Sequence, residues 1–268
     1  MKKNLRGVHT FVVCAYKESP YLRECIQSLL NQSSISDIII ATSTPNEHIS
    51  SIAKEFDIPV YVNTGESGIT QDWNFGLSCA KTQFVTIAHQ DDLYFEHYAR
   101  TVVGRLKAVS DSQICFTDYC ERRGDDYEDA NTLLYIKRLL LLPIRFPGAK
   151  NRRFAKRLIL SIGSSICCPS VTFNMANIEG PVFENGLKSN GDWQAWERLS
   201  NQAGSFVYCP YVLMSHRIHE GSETSAIINS GRRSDEDLVM FRKFWCEPIA
   251  RGLAKVYSLG EKSNSVEK

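Results

Sequence analysis

Gln83-Phe84-Val85-Thr86-Ile87-Ala88-His89-Gln90-Asp91-Asp92-Leu93-Tyr94 is an apolar run that ends in a polar, doubly acidic tip. Phe84 to Ala88 suits a strand buried on both faces, because nothing in it alternates. The abrupt switch to His89-Gln90-Asp91-Asp92 then sets two carboxylates where that strand leaves its sheet. In open α/β sheets ligands gather outside the carboxyl ends of the strands, so such a pair is well placed to hold a divalent cation against a phosphate. The simpler alternative is a turn in which Asp92 opens a helix at Leu93-Tyr94-Phe95-Glu96.

Working outward, Val8 to Cys14 reads as a strand that runs into Ala15-Tyr16-Lys17-Glu18-Ser19-Pro20. Ser19 is a candidate N-cap with Pro20 at the first helical position, and Leu22, Cys25, Ile26, Leu29 and Leu30 follow at helical spacing. Asp37 to Ala41 and Pro59 to Asn63 read as further strands, each followed by a helix, near Glu47 to Phe56 and over Thr70 to Ala80. A helix over Phe95 to Val109 and a strand at Gln113 to Thr117 complete the series. Strands alternating with helices predict an α/β fold with a mainly parallel central sheet. Neither Gly-x-Gly-x-x-Gly after a strand nor a P-loop is present, which argues against hydride-transfer and P-loop enzymes.

Composition narrows the class further. A chain of 268 residues with 43% hydrophobic content has the makeup of an ordinary globular protein with a sizeable core. A formal net charge of +1 gives no global attraction for nucleic acid, so none is expected as a partner. The nine cysteines include no Cys-x-x-Cys pair and read as small buried residues in a reducing compartment. No apolar run approaches the roughly 20 residues that span a bilayer. The expected location is cytoplasmic, with contact on the inner face of the membrane as an option.

That option comes from one segment. Between Ala130 and Ile178 there is no acidic residue, while Lys137, Arg138, Arg145, Lys150, Arg152, Arg153, Lys156 and Arg157 are interleaved with leucine, isoleucine and phenylalanine. Such a stretch, centred on residues 135–160, suits peripheral membrane contact or a phosphorylated lipid. The alternative is a core-facing helix pair with a solvated charged side. Pro143 and Pro147-Gly148 exclude one continuous helix. Downstream, Pro169 to Asn174 and Phe206 to Met214 read as strands, and Asp192 precedes Trp193, Trp196 and Leu199 at helical spacing, where an N-cap is its simplest role. A helix is expected from Ser234 onward, with disorder from Glu261.

Taken together, several stretches resemble the inverting glycosyltransferases of family 2, which have the GT-A fold. They are Ala15-Tyr16-Lys17-Glu18, the run from Leu22 to Gln32, Gly68 to Ala80, His89-Gln90-Asp91-Asp92, Asn190-Gly191-Asp192-Trp193 and Arg217-Ile218-His219-Glu220-Gly221-Ser222. The resemblance covers roughly residues 8 to 225. It implies one GT-A domain over 1–230, with a Rossmann-like nucleotide-sugar half at 1–125 and an acceptor half at 126–230, followed by a C-terminal helix and tail at 231–268.

By that resemblance Ala15, Tyr16, Glu18, Ser43 and Asp72 line the base and ribose pocket, with His89 and Gln90 beside the donor. Asp91 holds Mg²⁺ or Mn²⁺ on the diphosphate, His219 is a further ligand or phosphate contact, and Asp192 is the general base. His89 stands where the family's metal motif begins with an acid, and Thr42-Ser43-Thr44 stands where an acidic pair reads the base. The Gln-x-x-Arg-Trp signature of processive synthases is absent, which favours transfer of a single sugar to a glycan or lipid-linked acceptor in surface polysaccharide synthesis. The competing expectations are a non-catalytic nucleotide-sugar or membrane-surface binding protein with a decayed site, and a nucleotidyltransferase on a related scaffold.

Overall fold

A computed structural model describes residues 2–146, 148–219 and 233–262. A nine-stranded sheet organises the chain. Its first part consists of β2 (His9–Cys14), β4 (Asp37–Thr42), β5 (Val60–Val62) and β6 (Phe84–His89), all parallel and ordered β5-β4-β2-β6; β1 (Lys3–Asn4) and β3 (Ser34–Ile35) pair separately. The right-handed crossovers expected of such units are carried by α1 (Leu22–Leu30), α2 (Glu47–Glu55) and α3 (Ile69–Cys79). Close packing of α3 depends on Gly76, where an added Cβ would stand 2.7 Å from Val12 Cγ1.

Beyond β6 the sheet becomes mixed. β7 (Leu93–Tyr94) and α4 (Tyr98–Lys107) precede the long β8 (Ser112–Arg123), which pairs with the short β9 (Asp126–Glu128). α5 (Thr132–Leu140) and α6 (Arg153–Leu158) lead to β10 (Val171–Asn174), which inserts antiparallel between β6 and β8. After α7 (Gly191–Asn201), β11 (Ser205–Arg217) runs parallel to β8 and pairs antiparallel with β7. The C-terminal ends of β2, β4, β6, β8 and β11 therefore share one edge, the edge at which open α/β sheets bind ligands. Apolar side chains cover both faces of the sheet, and Trp193 and Trp196 of α7 are wholly buried in the larger cluster. Truncating either to Ala removes about 3–5 kcal/mol of stability.

Several local expectations change. α1 begins at Leu22, two residues beyond Pro20, and Ser19 accepts a bond from Tyr21 N at 3.3 Å without capping the helix. Asp92 opens no helix, because Leu93–Tyr94 is a strand and α4 starts at Tyr98. The C-terminal helix is two, α8 (Arg233–Arg242) and α9 (Glu247–Lys262), and the second extends past Glu261; residues 263–268 lie outside the described residues. All nine cysteines are free, and Cys246 is exposed rather than buried. No helix among the described residues is long and apolar enough to cross a membrane.

Much of the basic segment is turned inward. Lys156 is fully buried and donates to the carbonyls of Gln202 at 2.8 Å and Gly204 at 2.9 Å, just beyond the C-terminus of α7. Carbonyls left unpaired at a helix end are natural partners for a cation. Arg157 pairs with Glu197 at 2.5 Å, and Arg138 faces Asp118 at 3.4 Å. The solvated-face reading therefore fails for these three, while Arg145, Lys150 and Arg152 form no ion pair among the described residues.

Candidate active site

At the carboxyl edge of the parallel strands, backbone and side chain lock the first loop in place. Gln90 clasps the backbone of Tyr16 from both sides: Tyr16 N donates to its Oε1 and its Nε2 donates to Tyr16 O, each at 3.0 Å. Lys17 takes the left-handed region at φ 55° and donates its N–H to Thr44 Oγ1 at 2.6 Å. A non-glycine residue in that region is strained, and such strain concentrates at functional sites. Ala15 is buried, whereas Tyr16 and Glu18 are exposed in the same loop. Next to it, Ser43 Oγ donates to Asp72 Oδ2 at 2.6 Å and Asn63 Nδ2 to Asp72 Oδ1 at 2.7 Å. Helix α3 thus delivers a carboxylate to the end of β4, where the sequence itself has only hydroxyls.

The acidic tip beyond β6 closes on the end of β11. Asp91 Oδ2 meets His219 Nε2 at 3.0 Å. Asp92 is wholly buried, and its Oδ1 accepts from Arg217 N at 2.9 Å and lies 3.1 Å from His216 Nδ1. Arg217 in turn donates to Asp91 O at 2.8 Å and to Glu24 Oε2 at 2.6 Å, and Arg122 holds the other Glu24 oxygen at 2.6 Å. His89 stacks on Trp73 with ring centroids 5.2 Å apart. Burial disfavours the charged form of Asp91, but the His219 bond and the nearby His89 and His216 bring its carboxyl below the ordinary value. Burial likewise opposes a charged His216, yet the adjacent Asp92 raises its pKa.

His89, Asp91 and Asp92 each offer a ligand atom, and these atoms lie within 4.8 Å of one another. Two of the group's atoms, Asp92 Oδ2 and His89 Nε2, are buried without a hydrogen-bond partner. Asp92 Oδ2 has only His89 Nδ1 near it, at 3.8 Å, and a buried carboxylate oxygen without a hydrogen bond is costly; a cation would satisfy it. Two carboxylates with an imidazole suit Mn²⁺ at least as well as Mg²⁺, which prefers an all-oxygen shell. The residues present fit the group.

Asp192 is the second residue of α7, not its cap; Asn190 occupies the capping position, and Trp193 N donates to Asp192 Oδ1 at 2.6 Å. The start of α7 abuts the start of α3, since a Cβ on Gly191 would stand 2.7 Å from Thr70 Cγ2. Burial raises the Cys168 thiol, with further contributions from the charges of Asp192 and Asp92 among others. The structure thus brings Ser43 and Asp72 together, joins Asp91 to His219 and Gln90 to Tyr16, and places Asp192 in the first turn of α7, whose start packs against the start of α3.

Residues 10–175 match the profile described as Glycosyl transferase family 2. The chain belongs to this family. Its fold is similar to that of S. aureus TarS residues 1–349 in complex with UDP-GlcNAc, with a TM-score of 0.65 at 13% identity over 96% of this chain and 73% of that one. It is also similar to the mannosyltransferase PcManGT from Pyrobaculum calidifontis in complex with GDP-Man and Mn²⁺, with a TM-score of 0.61 at 13% identity over 98% of this chain and 77% of that one. No curated protein matches the chain. Within this family 2 glycosyltransferase, sequence reasoning missed the supports of the site. Glu236 of α8 accepts from the N–H groups of Lys188, Ser189 and Asn190 at 2.9, 2.8 and 3.1 Å, and Asp237 accepts from Asn190 Nδ2 at 2.7 Å. The available signal was a run of three acids, Asp235-Glu236-Asp237, at a helix start, which reads as surface.

Proposed function

We propose that the protein moves one sugar from a nucleoside-diphosphate sugar to a glycan or lipid-linked acceptor, with inversion at the anomeric carbon and with Mg²⁺ or Mn²⁺ as cofactor. The pathway class that fits is surface polysaccharide synthesis on the cytoplasmic face of a membrane. The observation that carries the reading is the clustering of His89, Asp91 and Asp92 at the carboxyl edge, with His219 bonded to Asp91. The nucleotide sugars in the TarS and PcManGT complexes support the donor class.

In this reading Asp72, oriented by Ser43 and Asn63, contacts the base or ribose, and the loop of Ala15, Tyr16 and Glu18 closes over it, braced by Gln90. His89, Asp91 and Asp92 would hold the cation, and His219, bonded to Asp91, would serve as a further ligand or a phosphate contact. When bound, that cation stabilises the negative charge that develops on the leaving diphosphate. Asp192 accepts the proton of the attacking acceptor hydroxyl, a role that suits a carboxylate held rigidly by its own helix. Attack opposite to the leaving group inverts the anomeric carbon.

Replacing Asp192 with Asn keeps the shape and removes the base. Transfer is expected to fall about 10³-fold, within the range for general acid–base catalysis, while nucleotide titration stays unchanged. Unchanged transfer, or loss of nucleotide binding, contradicts the assignment. Donor binding without turnover of any acceptor by the wild type would point instead to a binding protein.

A further inference from the structure

A second concavity lies along the side of the sheet, with a volume of ≈ 970 Å³. Its walls are the outer face of α4, residues 144–146, Gly148 and Lys150, and the first half of β11. β11 is open there because β7 pairs only with Met214 and Ser215, and Phe206 N instead reaches Lys150 O at 2.9 Å. Pro210 in the same stretch suits an edge strand that needs no donor. Arg100, Arg105, Arg145 and Lys150 line the groove with His97, and no carboxylate does. None of the four cations forms an ion pair among the described residues, although Arg105 lies 5.7 Å from the Tyr211 ring centroid. Asp118 offsets part of the Arg145 charge, but no acid lines the groove itself.

Phe146, 68% exposed, lines the groove, and the chain on either side of it carries the exposed Tyr135, Ile136, Leu139 and Leu142 and, on α6, Phe154 at 78%. Eight of the 18 exposed large hydrophobic residues among those described fall between 135 and 162. Solvent-facing aromatic and aliphatic side chains beside unpaired cations are what an anionic bilayer surface binds, through buried apolar area and attraction to phosphate together. A soluble anion would use the cations and leave the exposed apolar residues unexplained.

The geometry points to a headgroup pocket for an anionic phospholipid, formed by Arg100, Arg105, Arg145 and Lys150, with Phe146 and its neighbours entering the interface. It deepens the membrane contact of the proposed function by naming its ligand and its site, and it does not depend on catalysis.

Gly104 gives a clean test. It lines the groove on α4, and a Cβ there meets nothing within 4 Å, so a side chain is accommodated and favoured in a helix over glycine. Wild type, Gly104→Glu and Gly104→Lys are sedimented at low salt with vesicles of phosphatidylcholine alone and of phosphatidylcholine with phosphatidylglycerol. Wild type and Gly104→Lys should bind the anionic vesicles and not the neutral ones, while Gly104→Glu binds them about five- to tenfold more weakly. Equal nucleotide titrations for all three show that the fold and the donor site are intact, which separates failure here from failure of the transferase reading. The proposal is overturned if Gly104→Glu binds like wild type, or if wild type binds neutral vesicles equally well. It is also overturned if wild type binds pyrophosphate, Gly104→Glu does not, and neither binds vesicles.

Discussion

The two halves of the molecule hold their functional side chains by different means. In the parallel half, the strands deliver Ala15, Ser43 and His89 to one edge by register alone: Cys14 pairs with Ala41 on one side and with His89 on the other. In the mixed half, Asp192 depends on polar contacts far apart in the chain, with Glu236 and Asp237 of α8 gripping the turn before α7. Regular hydrogen-bond ladders make the parallel half rigid by default, whereas the mixed half is only as well placed as its network. The difference teaches that damage to the C-terminal helices should reach the chemistry while sparing the nucleotide.

The Asp192→Asn variant gives the largest expected effect and tests the endpoint of that network. Glu236→Gln tests the network itself. It removes the charge that accepts three backbone N–H groups and the Ser189 hydroxyl. Loss of a charge-assisted set of this kind corresponds to about 1–2 kcal/mol, so kcat should fall roughly tenfold with nucleotide affinity unchanged. Restoration by Glu236→Asp to any degree would separate positioning from bulk stability. Equal losses in both halves would break the contrast.

The same residue carries a pH signature. Burial raises the Glu236 carboxyl, but the Ser189 hydroxyl and the backbone N–H groups outweigh it and hold the group below its ordinary 4.5. A depressed carboxyl stabilises the fold when ionised, so its contribution is present above about 4.5 and is lost as pH falls through the folded value. Denaturant unfolding of Glu236→Gln should therefore differ most from wild type at neutral pH and converge with it in acid.

The smallest effect belongs to Lys156, which burial pushes down from 10.5 to about 8 against a weaker pull from Asp111. Its folded value lies below the unfolded one, so the unfolded chain binds the proton more tightly and stability rises as pH climbs from about 8 toward 10.5. Lys156→Met should flatten that slope in denaturant midpoints. An unchanged slope would mean that the ammonium is not desolvated.

The same contrast governs what was legible in the sequence. β2, β4, β5 and β6 announced themselves as short apolar runs followed by helical periods, and the edge they share follows from the parallel order. The insertion of β10 did not, because four residues of apolar strand carry no sign of direction. Nor did the link from Asp92 to His216 and Arg217, which exists only because Leu93 pairs with Ser215 across the sheet. Lys156 looked like part of a charged face, since a sequence does not reveal which helix end offers carbonyls. The family resemblance grouped Asp91 with His219 and Ser43 with Asp72, but the bonds that join each pair come from the fold, the second from the packing of α3 against β4.

The central claim is that the carboxyl edge is a metal-assisted donor site. Isothermal titration of wild type and Asp91→Asn with a panel of nucleoside diphosphates, with Mn²⁺ present and again with chelator, tests it most directly. Tight binding of one nucleotide that requires Mn²⁺ and is lost in Asp91→Asn is the predicted result. Binding that survives both chelation and the substitution, or no binding to any nucleotide, would contradict it.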